Sequence, residues 1–291
     1  ANRAAGFLAT GAGGQMGRLG PYALQNFANL ALQKNILIYD GRVLETLNLV
    51  NTVVIEAAIL TDETLRESAF DTIAALRQRH WPAQQVTPQR FAIFLLSDED
   101  EATTSAMAHE LAFDDYFVEP MVSARATLLE RLRVGGRFVC YVGSGAEDTT
   151  VTEKALVTVA IPSAPVPVTL RATAPSAAKR LKSTTAQVVF LEKKLQHLPE
   201  LFALGTQFGL SQGVSLAWPL LMDLVDISTT VFVHFGLFYS ILFSYSGVLG
   251  GALYTRLPLI RYQQRQQPMA GEPAEPLDTE HQIERFPPDA R

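Results

Sequence analysis

Apolar positions along this chain come in two textures. Up to about residue 161 they form short runs, at 52–55, 91–96 and 138–142, bounded by polar or glycine-containing turns. Amphipathic stretches lie between them, and the pattern predicts strands at 52–55, 91–96 and 138–142 alternating with helices at 65–79, 101–111 and 123–134. That alternation is the signature of βαβ units and hence of a parallel sheet. Past residue 197 the texture changes to long apolar stretches. From Leu198 to Met222 only Glu200 is charged, and from Ile227 to Leu253 only His234 could become so. Each stretch exceeds the roughly 20 residues a helix needs to cross the hydrocarbon core of a bilayer.

These textures divide the chain. Residues 1–33 read as a Gly-rich, partly helical N-terminal segment, and 34–161 as the α/β domain. Residues 162–197 read as a linker, with four prolines from Pro162 to Pro175, followed by a basic juxtamembrane approach; a proline-punctuated segment continues neither strand nor helix. Residues 198–254 are expected to be a transmembrane helical hairpin, and 255–291 a polar, Pro-rich tail with the composition of disorder.

The hairpin predicts its own orientation. Asp223 and Asp226, between the two stretches, are expected to hold a tight turn at the outer interface. Lys179, Arg180, Lys182, Lys193 and Lys194 precede the hairpin, and Arg256, Arg261 and Arg265 follow it. The excess of basic residues on both flanks places the α/β domain and tail in the cytoplasm, with a bacterial inner membrane as the expected location. Gly205, Gly209 and Gly213, with Ser211, on the first helix, and Gly247, Gly250 and Gly251 on the second, predict close helix approach. Phe232, Phe235, Phe238, Tyr239, Phe243 and Tyr245 are too many rings for one narrow seam, so some must face lipid, a pigment or another protein. His234 is the candidate metal ligand or proton carrier within the span; the competing reading is a histidine hydrogen-bonded to a neighbouring helix.

Composition narrows the class. With 291 residues, 48% hydrophobic side chains and a net charge of −5, the chain can bury a full α/β core, and it lacks the basic bias of a nucleic-acid binder. The single cysteine, Cys140, lies in an apolar strand and reads as an inert core residue; one cysteine builds neither a disulfide framework nor a thiolate metal cage.

Five motifs, in order, carry chemistry. They are 35–45 (NILIYDGRVLE), 51–61 (NTVVIEAAILT), the helix over 66–77, the strand over 91–97, and 125–161 with its Gly143-Ser-Gly-Ala-Glu-Asp148 loop. Their order and spacing resemble the phosphorylation domain of heavy-metal (copper- and zinc-type) P-type ATPases. The resemblance implies a haloacid-dehalogenase-like Rossmannoid α/β fold that is cytoplasmic and followed by the last pair of membrane helices. It also identifies where the chain departs from the family. The nucleophilic Asp of the family's DKTGT is replaced by Glu56, followed by Ala57, Ala58 and Ile59. A carboxylate one methylene further out misplaces in-line attack by about an ångström, enough to cost orders of magnitude in rate. In the family's GDGxND loop the magnesium-ligating Asp is Ser144 here and the Asn is Glu147, leaving Asp148. Without the first carboxylate a Mg²⁺ bridging to phosphate is poorly held. Ser97 keeps the family's hydroxyl, but Asp98 and Glu99 follow it and would repel phosphate. Arg125 falls at the register of the phosphate-binding Lys, where the competing reading is a solvated surface arginine. Forty residues separate Glu56 from Ser97, too few for the family's inserted ATP-binding domain, since an independent domain needs at least about 50. The family's Cys-Pro-Cys transport motif has no counterpart in the chain.

A second motif competes. Thr10-Gly11-Ala-Gly-Gly14-Gln-Met-Gly17 fits the glycine pattern of dinucleotide-binding Rossmann loops, with Asp40 after the strand 36–39 as the ribose-binding acid. Against it, Pro21 falls inside the helix that must follow, the strand before it is short, and no Tyr-x-x-x-Lys pair supplies the chemistry.

Three functions follow. The first, and the expected one, is a catalytically inactive, cofactor-free P-type-ATPase-like membrane protein, with Glu56, Ser97, Arg125, Ser144 and Asp148 as degenerate positions. It would act as an accessory or structural subunit of a larger membrane complex, meeting other subunits through the hairpin 198–254. The second is a divergent active phosphatase or transport-ATPase fragment using Glu56 and Asp148. The third is a dinucleotide-binding oxidoreductase-like protein using Gly11, Gly14, Gly17 and Asp40.

Overall fold

The computed structural model describes residues 12–79, 90–145, 149–162, 186–232 and 237–266. Seven strands form one sheet: β1 Ile36–Ile38, β2 Thr52–Glu56, β3 Ala92–Ser97, β4 Asp115–Val118, β5 Val139–Gly143, β6 Val157–Ala160 and β7 Val188–Phe190. Their order across the sheet is β1-β7-β6-β5-β2-β3-β4, parallel throughout except for β1 against β7. The central strand β2 is buried at every position, which is why it reads as an unbroken apolar run rather than an alternation.

The described helices are α1 Ala12–Gln33, α2 Val43–Thr46, α3 Ala57–Leu60, α4 Glu63–Gln78, α5 Glu101–Glu110, α6 Val122–Val134, α7 Thr149–Thr152, α8 His197–Phe232 and α9 Leu237–Gln266. Successive β2 residues face opposite layers. Val53 and Ile55 join a core with α4, α5, α1 and the start of α8, while Val54 joins a second core with Leu128 and Leu129 of α6. In α4, Leu65, Ala69, Ile73 and Leu76 form the stripe that meets the sheet. Asp62 caps its first turn by accepting from the Thr64 backbone N–H at 3.1 Å, and Asp100 caps α5 through the Thr103 N–H at 3.0 Å.

Four expectations are corrected here. The α/β unit does not end at 161: β7, in the stretch assigned to linker and juxtamembrane segment, is inserted between β6 and β1. The glycine motif is not a loop, because residues 12–17, including Gly14, are the first part of α1, which runs on through Pro21 to Gln33. Thr10 and Gly11 lie outside the described residues. Asp223 and Asp226 do not form a turn; both are within α8, which runs on to Phe232, and residues 233–236, His234 among them, lie outside the described residues. Finally, α9 carries the chain on to Gln266, so 255–266 is helix rather than tail.

The small-residue stripes divide their work differently from expectation. A Cβ on Gly205 would sit 2.8 Å from Leu47 Cβ, and one on Gly209 would sit 2.7 Å from Asn48 Nδ2. Asn48 also donates to the Gly205 carbonyl at 3.1 Å. These glycines therefore dock α8 onto the turn after α2, while Gly213 has open space in front of it. On α9, by contrast, a Cβ on Gly247 would sit 3.1 Å from Pro219 Cα of α8, and Ser215 donates to the Gly251 carbonyl at 3.4 Å. Helix α1 completes a three-helix cluster, with Phe27 edge-on to Phe208 at 5.3 Å and Asn26 donating to Thr255 Oγ1 at 3.4 Å.

Arg79, at the end of α4, clamps this cluster to the sheet domain. It donates to the Pro199 carbonyl at 3.0 Å and to Phe202 O and Thr206 Oγ1, and it stacks over the Phe202 ring. Burial lowers its pKa to about 10, so it stays charged at neutral pH. Among the described residues one helix, over His197–Val225, is long and apolar enough to cross a membrane.

Candidate functional site

The chain winds outward from β2 in both directions, to β3 and β4 on one side and to β5 and β6 on the other. The carboxyl ends of β2 and β5 therefore flank the switch point of the sheet, where open α/β sheets place their ligands. Glu56 is the last residue of β2, Ser97 the last of β3, and Ser144 directly follows β5. The structure thus brings together Glu56, Ser97 and Ser144, three of the positions singled out in the sequence. Arg125, in the first turn of α6, joins them. Asp148 lies outside the described residues, as does Glu147.

Glu56 and Arg125 are partners. Arg125 Nη1 is 2.6 Å from Glu56 Oε1, with the two side chains 12% and 9% exposed. The same guanidinium donates through Nε to the Glu119 carbonyl at 2.8 Å, and its Nη2 lies 3.6 Å from Asp98 Oδ2. The reading of Arg125 as a solvated surface arginine is corrected: it is a largely buried, multiply bonded cation. It neutralises the one carboxylate that occupies the nucleophile's position.

Ser97 is 1% exposed, and its Oγ accepts from the Glu99 N–H at 3.0 Å, so the hydroxyl serves the turn after β3. That turn is anchored by the Glu119 N–H donating to the Ser97 carbonyl at 2.8 Å. Ser144 is exposed, and Gly145 after it takes a φ of 83°, the left-handed conformation a glycine tolerates. Gly143 belongs to the extended strand, so only the second glycine of the Gly-Ser-Gly turn is required by backbone geometry.

A cleft of about 270 Å³ opens beside these strand ends, lined by Ala58, Asp62, Ser144, Ile161 and Lys193 among others. Lys193 was grouped in the sequence with the juxtamembrane basic residues, yet it bonds the Asp62 carboxylate 131 positions away. That hydrogen bond, with a second from Thr64, holds Asp62 down at a pKa of about 2. No sequence signal separates a lysine facing a bilayer from one facing a distant aspartate. The neighbouring Lys194 pairs with Glu192 at 2.8 Å.

The described donors do not suit Mg²⁺. A hard divalent cation wants several anionic oxygens, whereas Glu56 is engaged by a guanidinium and the position after β5 offers a neutral hydroxyl. Among the described residues no three His, Cys, Asp or Glu side chains are grouped to hold a metal ion. A phosphate entering here would meet Asp98 and Glu99 and would have to displace Glu56 from Arg125. Cys140, in β5, is fully buried, and burial pushes its thiol pKa up, as expected for an inert core residue.

The dinucleotide positions are not assembled. Asp40 follows β1, an antiparallel edge strand, and its carboxylate accepts from the Arg42 N–H at 3.0 Å, closing a local turn. Gly14 and Gly17 are helical, without the strand–loop–helix geometry that cradles a pyrophosphate.

No family model matches the chain. Over 95 residues, 33% of its length, the chain is 28% identical to the cation-transporting P-type ATPase B of Mycobacterium bovis and to that of Mycobacterium tuberculosis. The match spans 11% of those proteins. Among solved structures, a zinc-transporting PIB-type ATPase superposes in its E2·Pi state with a TM-score of 0.60, 13% identity and coverage of 83% of this chain. A second structure of such an ATPase, in its phosphoenzyme state, gives 0.59, 13% and 81%. The chain spans about half of those structures, 55% and 54% respectively. The α/β sheet domain with its apolar C-terminal helix therefore shares the fold of the corresponding part of these ATPase structures.

Proposed function

We infer that the chain is a catalytically inactive, P-type-ATPase-like membrane protein that serves as an accessory or structural subunit. One observation carries this reading: the side chain at the nucleophile position is neutralised in place by Arg125 at 2.6 Å, in a pocket that leaves both groups nearly buried. A nucleophile must present a free carboxylate oxygen to phosphorus, and a phosphate-binding cation must be available to phosphate. Here each removes the other from that work. Ser144 in place of the magnesium ligand supports the same conclusion. So does the span between β2 and β3, occupied by α3, α4 and residues 79–91, which leaves no room for an ATP-binding domain.

The accessory role is supported by the surface of the helices. On α8, Leu210, Trp218, Leu220, Leu221 and Leu224 are exposed, and on α9, Leu242, Tyr245, Leu249 and Leu253 are exposed. So much apolar surface needs lipid or protein around it. The α/β domain clamped beneath by Arg79 would then be a rigid cytoplasmic platform at the inner membrane.

The test is acid-stable phosphorylation from radiolabelled ATP and turnover of p-nitrophenyl phosphate by the purified full chain with Mg²⁺. Both are expected at background. Turnover that Glu56→Gln abolishes would establish an active phosphatase instead. For the accessory role, mild-detergent purification and mass spectrometry of the intact particle are expected to find the chain with stoichiometric partners; a monodisperse single chain counts against it.

A further inference from the structure

The membrane-facing helices carry a second site, far in character from the strand ends. Along α8 exposure switches at one point. Leu198, Leu201, Phe202, Leu204 and Phe208 are buried against the α/β domain, whereas from Leu210, 65% exposed, the large apolar side chains turn outward. On α9 the change runs the other way along the chain, with exposed apolar residues ending at Ile260 before Arg261. These two transitions mark the level at which hydrocarbon gives way to headgroups.

A cavity of about 450 Å³ lies at that level, between α1, α8 and α9. Its walls combine Lys34 and Arg261 with Leu210 and Leu257. Among the described residues neither cation forms an ion pair within 4 Å; Lys34 instead rests over the Tyr262 ring at 5.4 Å. Ser211 also lines the cavity, and its buried Oγ has no hydrogen-bond partner among the described residues. A buried hydroxyl without a partner costs stability unless a ligand or water completes it. Two cations without a carboxylate partner among the described residues, an orphan hydroxyl and apolar side chains beside them are the complement of one ligand class.

We propose that this cavity binds the headgroup of an anionic glycerophospholipid. Its phosphate sits between Lys34 and Arg261, its glycerol oxygens reach Ser211 Oγ, and its acyl chains lie along Leu210 and Leu257. A zwitterionic lipid brings its own cation and gains less from the pair. Each basic group near the membrane surface strengthens association with anionic lipid roughly fivefold. The proposal rests on the membrane placement inferred above, but not on the absence of catalysis.

The test uses the full chain in mild detergent and native mass spectrometry with added phosphatidylglycerol or phosphatidylcholine. Wild type is expected to retain phosphatidylglycerol, and Lys34→Ala/Arg261→Ala to lose roughly 10- to 30-fold in apparent affinity. Ser211→Ala tests the orphan hydroxyl with minimal change in shape and should weaken retention severalfold without lowering the melting temperature of the lipid-free protein. Equal retention of the two lipids, or no effect of the double variant, overturns the proposal. Binding of glycerol 3-phosphate alone with the affinity of the lipid would also overturn it, reassigning the pocket to a soluble phosphoester. Alkaline carbonate extraction of the same variants separates the two layers of inference: release of wild type into the soluble fraction would refute the membrane placement itself, whereas retained but lipid-indifferent protein would refute only the pocket.

Discussion

Glu56 Oε1 and Arg125 Nη1 lie 2.6 Å apart at the switch point of the sheet, the first at the end of β2 and the second in the first turn of α6, 69 residues later. Both are nearly buried, so each helps to hold the other's charge out of water. Removing one partner of such a pair costs about 3–5 kcal/mol, because it strands the remaining charge. Glu56→Leu and Arg125→Met are each expected to lower stability by that order, while the double variant recovers most of the loss. Urea denaturation of the four proteins measures the coupling directly. Near-additive single losses would show that the pair is not the local organiser described here.

The glycines of α8 make a sharper contrast. Gly205→Val forces side-chain atoms against Leu47, whose Cβ already lies 2.8 Å from the position a first side-chain carbon would take. A cost of about 1–3 kcal/mol is expected from such overpacking. Gly213→Ala, with open space in front of it, is expected to be neutral or slightly stabilising. Thermal melts of the two variants in the same detergent decide the matter, and the order of stability is the diagnostic.

Acid should find Asp62. Its folded pKa is depressed to about 2 from an ordinary 3.8, first by the Lys193 hydrogen bond and then by Thr64. A depressed carboxylate contributes stability that is fully present above its unfolded pKa and is lost as the pH falls through the folded value. The Lys193–Asp62 contribution is therefore intact above about pH 4 and disappears between about 4 and 2. Asp62→Asn should flatten that part of the stability profile and leave the slope above about pH 5 unchanged, as read by melting temperature across roughly pH 2–7.

Arg79 is the joint between sheet domain and helices. Arg79→Ala deletes its bonds to Pro199, Phe202 and Thr206. Loss of this charged hydrogen bonding is expected to cost about 1.5–3 kcal/mol and to raise amide exchange over residues 197–206 before it affects β2 or β5. Uniform loosening of the whole sheet would instead mean that the helix and the α/β domain unfold as one unit.

Much of the scaffold was legible in the sequence because burial on both faces leaves an unmistakable pattern. The apolar runs at 52–55, 91–96 and 138–142 became β2, β3 and β5, and the stripe of Leu65, Ala69, Ile73 and Leu76 became the inner face of α4. The site positions Glu56, Ser97, Arg125 and Ser144 were also legible, because short motifs at strand ends stay in register with their strands. Their partners were not. Arg125 looked like one basic residue on a helix, and only the fold carries it to Glu56. Val188–Phe190 is too short to announce a strand, and hydrogen bonding to β6 and β1 makes it one. Asp223 and Asp226 looked like a turn because charge usually ends an apolar run, yet the backbone bonding of α8 continues through both.

The sequence by itself determined the frame of the layers: that β2, β3 and β5 are strands, which helix faces are apolar, and where an apolar stretch of bilayer length begins. Those are local periodicities, and each residue carries its share of them. The tertiary structure decided the pairings, namely Glu56 with Arg125, Asp62 with Lys193, Gly205 with Leu47, and Lys34 and Arg261 around one cavity. Charge and shape complementarity act through space at a few ångströms, and the chain distance between partners leaves no periodic trace of them.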